Sequence, residues 1–143
     1  MDRRSPAQVY ALAIGGLLVL GGIAGFFYNA SFGTGDGTER DAVLGVLDVN
    51  GWHNVLHIAS GGVGLLLAGS YGGARAYALG LGALYLLLAM LGFIAGNGDE
   101  LFNLIPVNTE ENVFNLLVGV AGLGAGLLTP ATLAPSTMSA RGA

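Results

Sequence analysis

Cysteine and lysine are both absent from this 143-residue chain. Without cysteine there can be no disulfide framework, no thiolate metal site and no cysteine nucleophile, and the redox compartment leaves no mark in thiols. Without lysine the only basic side chains are five arginines, too few and too scattered to form the patch that neutralises phosphates, so nucleic acid is not an expected partner. Charge of either sign is scarce, at 10% of residues against about 25% in an ordinary soluble domain. A soluble fold of this size must cover its surface with polar groups, and so few charged side chains do not suffice. The four prolines all fall outside the middles of the apolar runs.

What remains is apolar. Hydrophobic residues make up 53% before the 26 glycines are counted, whereas a soluble domain reaches about 45–50% with glycine included. Residues 9–27 and 76–95 are uncharged runs of 19 and 20 residues, close to the roughly 20 needed to cross the hydrocarbon core. Residues 55–68 contain His57 and Ser60, and residues 113–128 contain Asn115. Extended to 51–69 and 110–128, each of these reaches 19 residues, enough to span if the polar turns lie at headgroup level or face protein. The expectation is an all-α integral membrane four-helix bundle, a single domain over 1–143 with 129–143 as a tail. The first run exceeds the 7–15 apolar residues of a signal-peptide core and is expected to be retained.

Orientation follows from the arginines. Arg3 and Arg4 precede the first segment, Arg75 falls in the expected turn between the second and third, and Arg141 lies in the tail. All fall on one side of a chain with an even number of spans, which makes that side cytoplasmic and puts both termini inside. The opposite loops hold Asp36, Glu39, Asp41, Asp48, Asp99, Glu100, Glu110 and Glu111 with only Arg40.

An internal repeat is the most informative feature. Tyr10-Ala11-Leu12, Gly15, Gly25 and Phe26 recur 67 positions later as Tyr77-Ala78-Leu79, Gly82, Gly92 and Phe93. Val49-Asn50, Asn54-Val55, Gly61 and Gly64 recur 58 positions later as Val107-Asn108, Asn112-Val113, Gly119 and Gly122. The chain thus reads as a tandem duplicated hairpin, repeat one over about 9–70 and repeat two over about 76–128. An even number of spans per repeat makes the repeats parallel, with a pseudo-two-fold axis along the membrane normal. Val43, Leu44, Val46 and Leu47 in the first outer loop match Leu101, Phe102, Leu104 and Ile105 in the second. These apolar segments are expected at the outer interface or tucked against the bundle, Pro106 lying just before a helix start. Asn50 and Asn108 are placed to cap the helices that follow.

The run Asn50-Gly51-Trp52-His53-Asn54-Val55-Leu56-His57, the run Leu104-Ile105-Pro106-Val107-Asn108-Thr109 with Asn112, and the Tyr77-Ala78-Leu79 string resemble the bacterial four-helix membrane family catalogued as domain of unknown function 4383. The resemblance covers roughly residues 10–128. Asn115 stands where a His is common in that family, opposite His57, which weakens any role needing two equivalent histidines. The resemblance implies a four-helix membrane fold in a bacterial cytoplasmic (inner) membrane and supplies no activity.

At about 100° per residue, His53, His57, Ser60, Gly61 and Gly64 share one arc of the second segment. Asn108, Asn112, Asn115, Gly119 and Gly122 share a similar arc of the fourth. If these segments face each other across the pseudo-axis, His53, Asn54, His57, Asn108, Asn112 and Asn115 form a structural polar cluster, with Asn112 or Asn115 the expected partner of His57. His53 and His57 at i and i+4, with Glu111, are weaker candidates for a metal site. A haem held by opposed histidines is weaker still, since the fourth segment has none. Trp52 is expected as an interfacial anchor, with Tyr10, Tyr28, Tyr71 and Tyr77 marking other span ends.

Acidic residues confined to outer loops, and a Ser60-His57 pair with no acid at triad geometry, argue against an enzyme. The favoured function is a non-enzymatic structural or accessory subunit acting through helix contacts, with the lipid bilayer, itself or other membrane subunits as partners and no cofactor. The alternatives are a small-solute or ion transporter with a site at the repeat interface, or His-based metal or haem binding.

Overall fold

Each of the four α-helices among the described residues starts on a polar side chain that accepts a hydrogen bond from a backbone amide three residues on, satisfying a donor that the helix itself cannot. Ser5 accepts from Gln8 N at 3.3 Å while Gln8 Oε1 accepts from Ser5 N, a reciprocal box completed by Pro6 at the first helical position. Asn50 accepts from His53 N at 3.0 Å, Ser70 from Gly73 N at 3.2 Å and Asn108 from Glu111 N at 2.7 Å. The computed structural model describes residues 3–131, and in it these caps open α1 (Pro6–Gly25), α2 (Gly51–Leu67), α3 (Tyr71–Ala95) and α4 (Thr109–Leu128).

Three of the four, α1, α3 and α4, are long and apolar enough to cross a membrane. Helix α2 has 17 residues, two fewer than expected, and at 1.5 Å per residue it is about 26 Å long. Helix α3 begins five residues earlier than expected, so Arg75 lies inside a helix and not in a turn. Its Nε donates to Thr129 O at 2.8 Å, and Thr129 Oγ1 accepts from Ala7 N at 3.0 Å. Thr129, expected to open a tail, is instead fully buried and ties α4 to the start of α1. These bonds gather the segment just after Arg3 and Arg4 with Arg75 at one end of the bundle. Most of the tail, with Arg141, falls outside the described residues.

The two outer segments fold as short antiparallel hairpins, which the apolar pattern alone did not predict. Strand β1 (Asp41–Val43) pairs with β2 (Leu47–Val49), and β3 (Glu100–Leu101) with β4 (Ile105–Pro106). Both tight turns place two successive residues at positive φ, Leu44 and Gly45 in the first, Phe102 and Asn103 in the second, the twist that suits hairpin strands. Pro106 lies in β4, two residues before the Asn108 cap.

Helix α1 packs along α2 and α3 along α4, while α1 also touches α3 and α4. Helices α2 and α4 meet only sparsely, coming together at the hairpin end, where His53 and Glu111 converge. Glycine allows the close approach: a Cβ at Gly15 would fall 2.9 Å from Gly61 O, and one at Gly82 would fall 3.0 Å from Gly119 O. Tyr77 lies over Gly64 and Tyr10 over Gly122, with the two rings 6.2 Å apart. Tyr10 and Tyr77 are therefore buried core residues and not the interfacial markers anticipated for them. Large apolar side chains such as Leu20, Leu66, Ile94, Leu117 and Leu127 are exposed around the bundle. A helical surface of that kind matches lipid as solvent, and the chain has the character of a membrane protein.

Candidate functional site

The caps at Asn50 and Asn108 place the first turns of α2 and α4 side by side at the hairpin end. Asn50 Nδ2 donates to Leu104 O at 2.6 Å and Asn108 Nδ2 donates to Val46 O at 2.8 Å. Each cap thus holds the turn of the other hairpin, and these two crossed bonds fix where the following residues project.

One turn into α2 and α4, His53 and Glu111 meet. His53 Nε2 stands 3.2 Å from Glu111 Oε1 and 3.0 Å from His57 Nε2, and His57 Nε2 stands 4.0 Å from the same carboxylate oxygen. The imidazole rings of His53 and His57 meet edge to face, with centroids 4.3 Å apart. His53 and Glu111 are buried, and His57 nearly so. No hydrogen bond reaches His53 Nδ1 or either carboxylate oxygen of Glu111. Sequence reasoning counted Glu111 among the acidic residues of the outer loops and also as a weaker metal-ligand candidate with His53 and His57; the structure brings these three together. Third in α4, Glu111 is drawn inward because Asn108 caps the helix one turn earlier.

His57 therefore does not bond to Asn112 or Asn115, as the face pattern suggested, but reaches His53 and lies near Glu111. Asn112 and Asn54 are buried within their own hairpins. Asn54 packs into the place of a missing side chain at Gly25 and donates from Nδ2 to Asn29 O at 2.8 Å, and Asn112 packs in the same way against Gly92. Asn115 stays on the cluster's side, on the wall of a cavity of about 330 Å³ that His53, His57, Ser60 and Glu111 also line. The rest of the wall is mainly apolar, contributed by α2, α3 and the second hairpin. Trp52 is part-exposed beside this end, its Nε1 donating to Phe32 O at 3.1 Å and its ring edge-on to Phe32 at 5.1 Å, compatible with the expected interfacial anchor.

Tyr85 belongs to the same site and was not anticipated. It is buried on the cavity wall, its ring nearly parallel to that of His57 at 6.5 Å. A tyrosine in the middle of the otherwise apolar run of α3 was the available signal, since a polar group at that depth is costly unless it faces protein.

Two imidazoles and a carboxylate converging on the wall of a mainly apolar cavity can share a proton or bind a cation. A family model described as Domain of unknown function (DUF4383) matches residues 8–128. No curated protein and no solved structure matches the chain.

Proposed function

The chain belongs to the DUF4383 family, whose description carries no activity, and we propose that it acts as a non-enzymatic structural or accessory subunit of a membrane assembly. In this reading it crosses a bacterial cytoplasmic membrane four times, with both termini inside, and is a tandem duplicated hairpin with its pseudo-two-fold axis along the membrane normal. Contacts that recur at equivalent positions support the duplication: Gly15 with Gly61 and Gly82 with Gly119, Tyr77 on Gly64 and Tyr10 on Gly122, Asn50 to Leu104 and Asn108 to Val46.

The observation that carries the accessory role is a set of outward glycines. Gly16 and Gly21 of α1, Gly62 of α2, Gly80 of α3 and Gly124 of α4 have nothing within 4 Å of the place a Cβ would take. Inner packing does not require them, and a glycine inside a helix costs roughly 0.5–1 kcal/mol relative to alanine. Membrane helices associate through close backbone approach at small residues, so these positions suit a second helix arriving from the lipid side. Purification from native membranes in mild detergent, followed by mass measurement of the intact particle, tests the reading. A particle holding several copies or a second protein is expected, and a lone chain at every detergent concentration would refute it.

A further inference from the structure

We propose that His53, His57 and Glu111 form a site for one divalent transition-metal ion, zinc or ferrous iron, on the wall of the cavity between α2, α3 and the second hairpin. The inference is independent of any partner subunit. It rests on three potential ligand atoms that converge from two helices, on their spacing, and on the unmet bonding capacity of the carboxylate.

The spacing fits a small cation. His53 Nε2, His57 Nε2 and Glu111 Oε1 are separated by 3.0, 3.2 and 4.0 Å. Ligands held about 2.0–2.1 Å from a tetrahedral zinc ion lie about 3.3 Å from one another, within the range of these separations. Two imidazoles and one carboxylate make up the protein ligands of one class of open zinc site and of the facial triad that holds ferrous iron. All three residues line the cavity, so the remaining coordination positions face its interior, where water or a small ligand donor has room.

Protons alone serve these atoms poorly. A proton on His53 Nε2 can be given to His57 or directed at Glu111, but one N–H cannot satisfy both. Glu111 Oε2 is buried without a hydrogen bond, and Oε1 has only the shared His53 Nε2 at 3.2 Å, an arrangement that costs free energy for a carboxylate away from water. A divalent cation meets the carboxylate and both imidazole lone pairs together. It would also join α2 to α4 at the end of the bundle where they otherwise meet sparsely, so binding should raise the stability of the folded chain.

The position of the site also explains an asymmetry. His53 and Glu111 are equivalent positions 58 apart, so a ligand is supplied from each half where the halves meet. His57 completes the set from one half only, because its counterpart is Asn115. One ion per chain follows.

The test uses the full chain in mild detergent, stripped with a chelator and titrated calorimetrically with zinc chloride, and separately with ferrous iron under argon. One ion per chain, together with an upward shift of the thermal midpoint, is the expected result for at least one of the two metals. Glu111→Gln and His57→Asn should each weaken binding by about 100-fold or more, beyond the 10–100-fold typical of residues that only support a ligand. Both substitutions keep side-chain polarity, and Asn at 57 reproduces the residue already present at 115. Circular dichroism of the metal-free variants confirms which of them is folded, and one folded variant is sufficient. Wild-type protein that binds neither ion, or a folded variant that binds as tightly as wild type, overturns the proposal and leaves a cluster neutralised by protons alone.

Discussion

Asn54 occupies the space that Gly25 leaves empty, so closely that a Cβ on the glycine would stand 2.7 Å from the Asn54 Cγ. Asn112 stands in the same relation to Gly92, where the corresponding distance is 2.6 Å. Each asparagine is buried, and each interlocks the outer half of one hairpin by filling the groove between its helices.

Gly25→Ala and Gly92→Ala should therefore each destabilise the protein by about 1–3 kcal/mol, the usual cost of forcing atoms into a filled site. Gly72→Ala, where a Cβ meets nothing within 4 Å, serves as the control and should be neutral or slightly stabilising. Thermal unfolding in detergent reads the difference. Equal effects at Gly25 and Gly72 would mean that the glycine–asparagine contact does not limit packing.

Asn50 and Asn108 each do two jobs that one substitution can separate. The side-chain oxygen caps a helix, and the side-chain amide donates to a carbonyl of the opposite hairpin. Asn50→Asp keeps a competent cap but removes the donor from Leu104 O, and should cost about 1–3 kcal/mol by leaving a polar group unmet. Asn50→Ala removes both functions and should cost more. If the Asp variant is as stable as wild type, the crossed bond contributes nothing to joining the hairpins.

Much of this framework is legible in the amino-acid order because glycine and asparagine are constrained by different physics. Gly15, Gly25, Gly82 and Gly92 sit where backbones or amides come too close for a side chain, and Asn50 and Asn108 sit where helix amides need an acceptor. Recurrence of those residues at fixed offsets marks the positions, though not what each one touches. The hairpins were not legible, because Leu44-Gly45 and Phe102-Asn103 lack the Asn-Gly or Asp-Gly signal that the same turn usually carries. Nor was the true neighbour of His57. Face patterns show which residues point inward but not which helix they meet, and α1 lies beside both α3 and α4 while α2 and α4 meet sparsely. Glu111 was read both as an outer-loop acid and as the third member of a weak ligand set with His53 and His57, and its place three residues after a capping Asn was the clue that favoured the second. Gln8 illustrates a similar miss, since it closes the α1 cap and also donates from Nε2 to Ala68 O at 3.2 Å.

Topology is open to a direct measurement. Arg75 and the residues following Arg4 lie at one end of the bundle through Thr129, while Arg40 donates to Gly98 O among the acidic loops at the other. Under the arginine bias, a reporter fused after Ser70 should be cytoplasmic and one inserted near Gly35 should be external. An external signal at Ser70 would refute the four-pass orientation.

The pair Tyr10 and Tyr77 provides the sharpest contrast, because equivalent tyrosines have different bonding. Tyr10 Oη donates to Val118 O at 3.0 Å, whereas Tyr77 Oη is buried with no partner. Tyr10 lies against Gly122 through its hydroxyl and Tyr77 against Gly64 through the hydroxyl end of its ring, and phenylalanine would keep the ring while removing that oxygen. Tyr10→Phe should lower stability by about 0.6–1.5 kcal/mol, between the average for interhelical bonds in a membrane and the upper value for a neutral hydrogen bond. Tyr77→Phe removes a buried hydroxyl that has no bond to lose, so it should be neutral or stabilising, by up to about 1–3 kcal/mol if the desolvation cost is fully relieved. Thermal midpoints of the two single variants and the double variant decide the matter. Equal losses at both positions would show that the Tyr77 hydroxyl also makes a stabilising bond, and the contrast between the two tyrosines would then fail.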